Sequence, residues 1–133
     1  MFLKQFNREL RNTIIIYGIG ITYWLLIVFY REYHQKDLLI LKKNIIFNCN
    51  GWCISHYLHY LILSYFSPSY WYYLILIGII FEIIEIPLNK LSIYIDSKLI
   101  KDTITNTLGV LTGVILSKIF PNKTDLYNIF LLK

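Results

Sequence analysis

Two carboxylates, Glu82 and Glu85, stand inside an apolar run that reads Phe-Glu-Ile-Ile-Glu-Ile from Phe81 to Ile86. A carboxylate at the centre of a membrane helix costs on the order of 3 kcal/mol on insertion scales. Three residues apart, the pair shares one face if the run is helical. Such a face has to turn onto other helices or a hydrated pocket, and intramembrane ionisable residues are read first as a functional site. The bland alternative is an interfacial segment whose glutamates sit among headgroups and water.

Composition selects the membrane class. The chain of 133 residues is 56% hydrophobic and 17% aromatic, with a mean hydropathy of +0.52, above the range of soluble domains. Its length fits one membrane domain, residues 1–133. The formal net charge is +5. The basic residues mostly flank apolar runs, where they anchor helices at headgroups, so nucleic acid is not an expected partner. Cys49 and Cys53 are too few for a disulfide framework and are weak evidence for metal, which leaves packing as their expected role.

Read in order, residues 1–12 carry Lys4, Arg8 and Arg11 beside Phe2, Leu3 and Phe6, the composition of a short interfacial helix. Residues 13–30 lack charge and are long enough to span a bilayer. Tyr30-Arg31-Glu32 offers no small-residue cleavage site, so an uncleaved helix is expected rather than a signal peptide. Residues 31–43 read as a loop or short surface helix. A second span is expected over 46–66, with a polar turn at Asn48 to Gly51 and interruptions at Ser55, His56 and His59. The two histidines share a helical face, which suits either metal binding or hydrogen-bonded packing.

Ser67-Pro68-Ser69 is a tight connection that makes its flanking helices antiparallel neighbours. The third span, 70–86, opens on an aromatic belt of Tyr70, Trp71, Tyr72 and Tyr73, and Pro87 stops or kinks it. Asn89, Ser92 and Asp96 share a face of residues 88–101, an interfacial helix or re-entrant piece. The fourth span is expected over 103–120. Asp102, Asn106, Gly109 and Gly113 lie on one face there, and the glycines admit a neighbouring backbone or a second copy of the chain. Val110 is assigned to the lipid side. Asn122-Lys123-Thr124 is a glycosylation sequon usable only on a lumenal tail. Residues 125–133 form an amphipathic tail. The expected fold is all-α, a polytopic membrane helix bundle of about four transmembrane helices with short interfacial helices. An even count puts both termini on one side, and a near-equal division of basic residues gives no orientation.

Antiparallel packing brings His56, His59, Glu82, Glu85, Asn89, Asp96, Asp102 and Asn106 toward one membrane face. Clustered carboxylates need protons or a cation, and oxygen-rich sites suit Ca²⁺ or, second, Mg²⁺. A histidine beside them supplies a general acid or base. Together these suit phosphate-ester chemistry on a membrane phospholipid. Two other classes compete: a structural or interaction protein that uses the polar set for packing, and a small ion or proton carrier working through Glu82 and Glu85. A carrier would place ionisable residues at mid-depth in several spans.

The order His56, Glu82-x-x-Glu85, Pro87-x-Asn89, Asp96, Asp102 and Asn106-x-x-Gly109-x-x-x-Gly113 resembles the core of the eukaryotic base-exchange phosphatidylserine synthases. It is also similar to the VanZ-like membrane proteins, which share an acidic residue followed by a comparable Asp, Asn and glycine stretch. The resemblance covers roughly residues 50–116. It implies calcium-dependent exchange of a phospholipid headgroup for serine. His56 would be the acid/base, with Glu82, Glu85, Asp102 and Asn106 in the catalytic set. Glu82, Glu85, Asp96 and Asp102 would be cation ligands, and His59, Asn89 and Ser92 substrate contacts. Ser92 stands where those synthases are expected to carry a further acidic residue.

Overall fold

No proline interrupts the chain before residue 68, and Phe2–His34 folds as one uninterrupted helix, α1. The computed structural model describes residues 2–34, 38, 41, 43–46, 49–91, 99–121 and 124–130. At 1.5 Å per residue α1 is about 50 Å long, well beyond the ~30 Å hydrocarbon core. The expected separate interfacial helix over residues 1–12 is therefore corrected: residues 2–12 are the first turns of α1. Its polar face there is buried by partners far along the chain. Gln5 and the backbone N–H of Ser69 donate to the two Glu9 carboxylate oxygens at 2.8 and 3.0 Å. Ser67 Oγ donates to the Glu9 carbonyl at 2.8 Å.

The second helix, α2, spans Gly51–Phe66. Asn50 sets its start, for its extended backbone cannot continue a helix and its side chain accepts from Cys53 N–H at 3.0 Å. Before it, Asn44–Ile46 (β1) pairs antiparallel with Cys49–Asn50 (β2). Ile46, Cys49 and Asn50 thus lie in strands, and the expected span over 46–66 is shortened accordingly. Cys49 and Cys53 are joined in a disulfide that ties β2 to the first turn of α2, where only packing was expected.

Ser67 closes α2 by donating its backbone N–H to Leu63 at 2.9 Å. A 3-10 turn over Pro68–Tyr70 leads into α3, Trp71–Leu91. The helix continues through Pro87 instead of stopping there. Pro87 and Ile83 lie on the exposed side, so the ring forfeits one outward hydrogen bond without disturbing the packed face. The fourth long helix, α4, spans Leu99–Ile119 and starts four residues earlier than expected. That start puts Asp102 in its first turn, where the helix dipole favours an anion. A short helix, α5, covers Leu126–Phe130. Ser92 and Asp96 lie outside the described residues, as does half of the expected 88–101 segment. Asn89 lies in the last turns of α3.

The bundle is organised by α2 against α4. A Cβ on Gly109 would meet the Tyr57 carbonyl oxygen, and one on Gly113 would overlap Ser64 Oγ and the Leu61 carbonyl. These glycines let two backbones touch, as their spacing predicts. Val110, assigned from the sequence to the lipid side, is instead fully buried in a core with Ile16, Tyr60, Leu63 and Leu74. The reason is geometric: α4 packs on α2 and on α3, so its buried arc is wider than one glycine stripe.

Polarity is inverted relative to a soluble bundle. Leu26, Phe29, Leu76, Ile83, Leu108 and Ile115 project outward, while Glu9, Asn12, Glu82, Glu85 and Asn106 are buried. Among the described residues, three helical segments, Leu3–His34, Pro68–Leu88 and Leu99–Ile119, are long and apolar enough to cross a membrane. The fold is an all-α membrane bundle. Of the four expected spans, α2 is the short one, with 16 residues, roughly 24 Å. Its C-terminal end is covered by protein, with Ser67 wholly buried. Even so, the two chain ends meet. Asn12 Nδ2 donates to the Thr124 carbonyl at 3.0 Å, Leu126 N–H donates to Asn12 Oδ1 at 2.9 Å, and Arg11 pairs with Asp125.

Two outcomes are expected. Tags on the two termini should be accessible from the same side of sealed vesicles, and opposite accessibility would contradict the meeting of α1 with α5. Gly113→Leu should destabilise the protein by more than about 2 kcal/mol through overpacking, whereas outward Leu108→Ala should stay within about 0.5 kcal/mol. Unfolding in mixed micelles measures both.

Candidate functional site

The site forms because one end of each of three antiparallel helices carries one polar residue at matching depth. His56 lies about 8 Å of helix rise from the start of α2, and Asn106 about 10 Å from the start of α4. Glu82 lies about 9 Å from Leu88, where the apolar part of α3 ends. Asn106 Nδ2 donates to Glu82 Oε1 at 2.8 Å. The Asn106 Oδ1 atom lies 3.1 Å from His56 Nδ1, and Glu82 Oε1 lies 3.3 Å from the same nitrogen.

This geometry fixes the imidazole. Both neighbours of Nδ1 are acceptors, so Nδ1 carries a proton and shares it between them. Nε2 is then the ring nitrogen left for other chemistry. Glu82 is completely buried, and its second oxygen, Oε2, has no hydrogen-bond partner among the described residues. An unpaired buried acceptor costs about 1–3 kcal/mol, more when charged. Such a group is retained where a ligand or a transferred proton can meet it.

Glu85 and Asp102 are also buried. Of the residues expected at the site, the structure joins His56, Glu82 and Asn106 directly. It separates His59. That ring packs edge-on to Tyr17 and Tyr60, with centroids 5.7 and 5.5 Å away, over the bare backbone of Gly20. The His59 ring thus packs among aromatic rings and does not join the hydrogen-bonded trio. No three His, Cys, Asp or Glu side chains among the described residues are grouped to hold a metal ion. Asp96 of the expected cation set and Ser92 of the substrate set are outside those residues, and the Asn89 side chain is not described.

Some residues around the site carried no signal in the sequence. A half-open cavity of about 180 Å³ lies between α1, α2 and α3, and His56 forms part of its wall. Trp24 of α1 meets Phe81 of α3 across its edge, ring centroids 5.8 Å apart. Arg31, near the end of α1, places its guanidinium 5.5 Å from the centre of the Trp52 ring. Gly20 was the one local hint, a helix-interior glycine where a neighbouring side chain approaches. Set against known protein families, curated proteins and solved structures, the chain matches none.

The hydrogen-bonded trio should be energetically coupled. In a double-mutant cycle of Glu82→Gln with Asn106→Leu, the coupling energy read from unfolding should lie near 1–3 kcal/mol. Additive effects would mean that the two side chains do not share a bond.

Proposed function

We propose that the protein is a membrane-embedded enzyme that exchanges or removes the headgroup of a phospholipid, with His56 as its acid/base. The observation that carries this reading is the Glu82–His56–Asn106 arrangement, which orients one imidazole and leaves Nε2 for a substrate proton. In the reaction, an alcohol oxygen attacks phosphorus while its proton passes to His56 Nε2. The bond from phosphorus to the resident headgroup oxygen then breaks, and that headgroup leaves with the proton from His56. Glu82 and Asn106 act as positioning residues. They hold the ring and stabilise the imidazolium that forms in the first step.

Glu85 and Asp102 add two buried acidic side chains to the same bundle. This favours an amine-bearing headgroup alcohol, in line with the resemblance to base-exchange phosphatidylserine synthases. That resemblance also implies calcium. The described carboxylates do not group around a common ion position, so no step here is routed through a cation. Assays with Ca²⁺, with Mg²⁺ and with chelator decide whether either ion contributes.

Purified protein in phospholipid vesicles with an amino alcohol should form the exchanged lipid, read by lipid mass spectrometry. Removing a general acid/base lowers rates by about 10²–10⁴-fold, which is the loss expected for His56→Gln. Glu82→Gln should lose a comparable amount while keeping its helical signal and its monodispersity, and Glu82→Asp should recover part of the rate. A wild-type protein that converts no lipid, or a His56→Gln variant with full activity, would overturn the reading. In that case the trio serves as interhelical packing alone.

A further inference from the structure

The cavity between α1, α2 and α3 exists because α1 and α3 do not close on each other. They meet at Trp24 and Phe81, while His59 fills the space over Gly20 and leaves a slot beside it. Its wall on α1 runs from Tyr17 to Trp24, about 10 Å of helix rise, and on α2 from Trp52 to Tyr60, about 12 Å. The slot is therefore elongated along the helices. Its walls are mainly aromatic and aliphatic, with Ile21, Trp24, Trp52, Ile77 and Phe81 as the main surfaces. Of its polar lining, Ser55 is satisfied by donating to the Trp52 carbonyl at 2.7 Å.

The occupant follows from the surroundings. Three helices are long and apolar enough to cross a membrane, and the outer surface is apolar. The open side of the slot therefore faces hydrocarbon. Trp52 lines one end of the slot, with the almost wholly buried Arg31 packed against its ring, and a Trp and an Arg at helix ends mark headgroup level. At about 180 Å³ the slot is smaller than the roughly 300–1,000 Å³ of sites that enclose a whole small molecule. It has room for a segment of one.

We propose that this slot is a lipid-binding site that takes a single hydrocarbon chain of a phospholipid, with the headgroup toward its Trp52 end. One chain held along α2 runs past His56, so the site fixes the lipid beside the trio. Binding does not depend on whether His56 goes on to transform that lipid.

The test uses the full-length protein in phosphatidylcholine vesicles doped with phosphatidylcholine bearing a mid-chain diazirine. After photolysis, peptide mass spectrometry should find adducts concentrated on the slot walls relative to equally exposed outward positions such as Leu108. Ile21→Trp, which fills the slot, should lower wall labelling about tenfold, equivalent to about 1.4 kcal/mol of binding, and leave Leu108 labelling unchanged. Ile77→Trp fills the slot from the opposite helix and should do the same, which keeps the test decisive if one variant fails to fold. Glu82→Gln should label like the wild type, so a failure of the enzymatic reading is separable from a failure of this one. Labelling that merely follows surface exposure, or that persists in a folded filled variant, would overturn the proposal. So would slot residues cross-linked to a second copy of the chain.

Discussion

Asn106 answers both Glu82 and His56 at once, and the bundle is arranged so that it can. Its amide nitrogen meets the buried carboxylate of α3, and its oxygen meets the imidazole of α2. Without that double contact, α3 would carry a fully buried carboxylate into an apolar bundle with only a histidine beside it. A buried charge is tolerated when it is paired and hydrogen-bonded. The amide therefore converts a costly residue into a contact that ties three helices together. It also selects the protonated nitrogen of the ring, which is a functional consequence of a structural necessity.

The rest of the packing serves this contact. Gly109 and Gly113 remove side chains where α4 crosses α2, and the close approach that results brings Asn106 within reach of His56. At the other end, Glu9 and Asn12 hold α1 to the α2–α3 turn and to the tail. The Glu9 and Asn12 side chains are paired by donors and acceptors from the chain itself, so they read as a fastening. In the trio, Glu82 Oε2 is buried and has no partner among the described residues.

Much of this was legible in the chain. Glu82 and Glu85 demanded inward partners, the step from Asn106 to Gly109 and Gly113 fixed which face of α4 turned inward, and Ser67-Pro68-Ser69 forced neighbouring antiparallel helices. What escaped was set by residues distant in sequence. Nothing local says that Glu9 meets Ser69, so residues 1–12 read as a separate surface helix. Val110 read as lipid-facing because one glycine stripe does not reveal that α3 covers the adjoining arc. Pro87 read as a stop because its exposure, which makes the lost hydrogen bond tolerable, is a tertiary property. The Cys49–Cys53 disulfide depended on the Asn50 cap that bends the chain between them. The slot beside His56 arises from an imperfect fit of α1 to α3, and gaps leave no mark in composition.

The central claim is that His56 holds its proton on Nδ1 between Glu82 and Asn106. Nitrogen-15 solid-state magnetic resonance of the protein in lipid bilayers, with His56 assigned by comparison with His56→Gln, reads this directly. The account predicts a protonated Nδ1 whose hydrogen correlates with the Glu82 carboxyl carbon and the Asn106 amide carbon. A bare Nδ1, with the sole ring proton on Nε2, would contradict it and leave the trio without an oriented base.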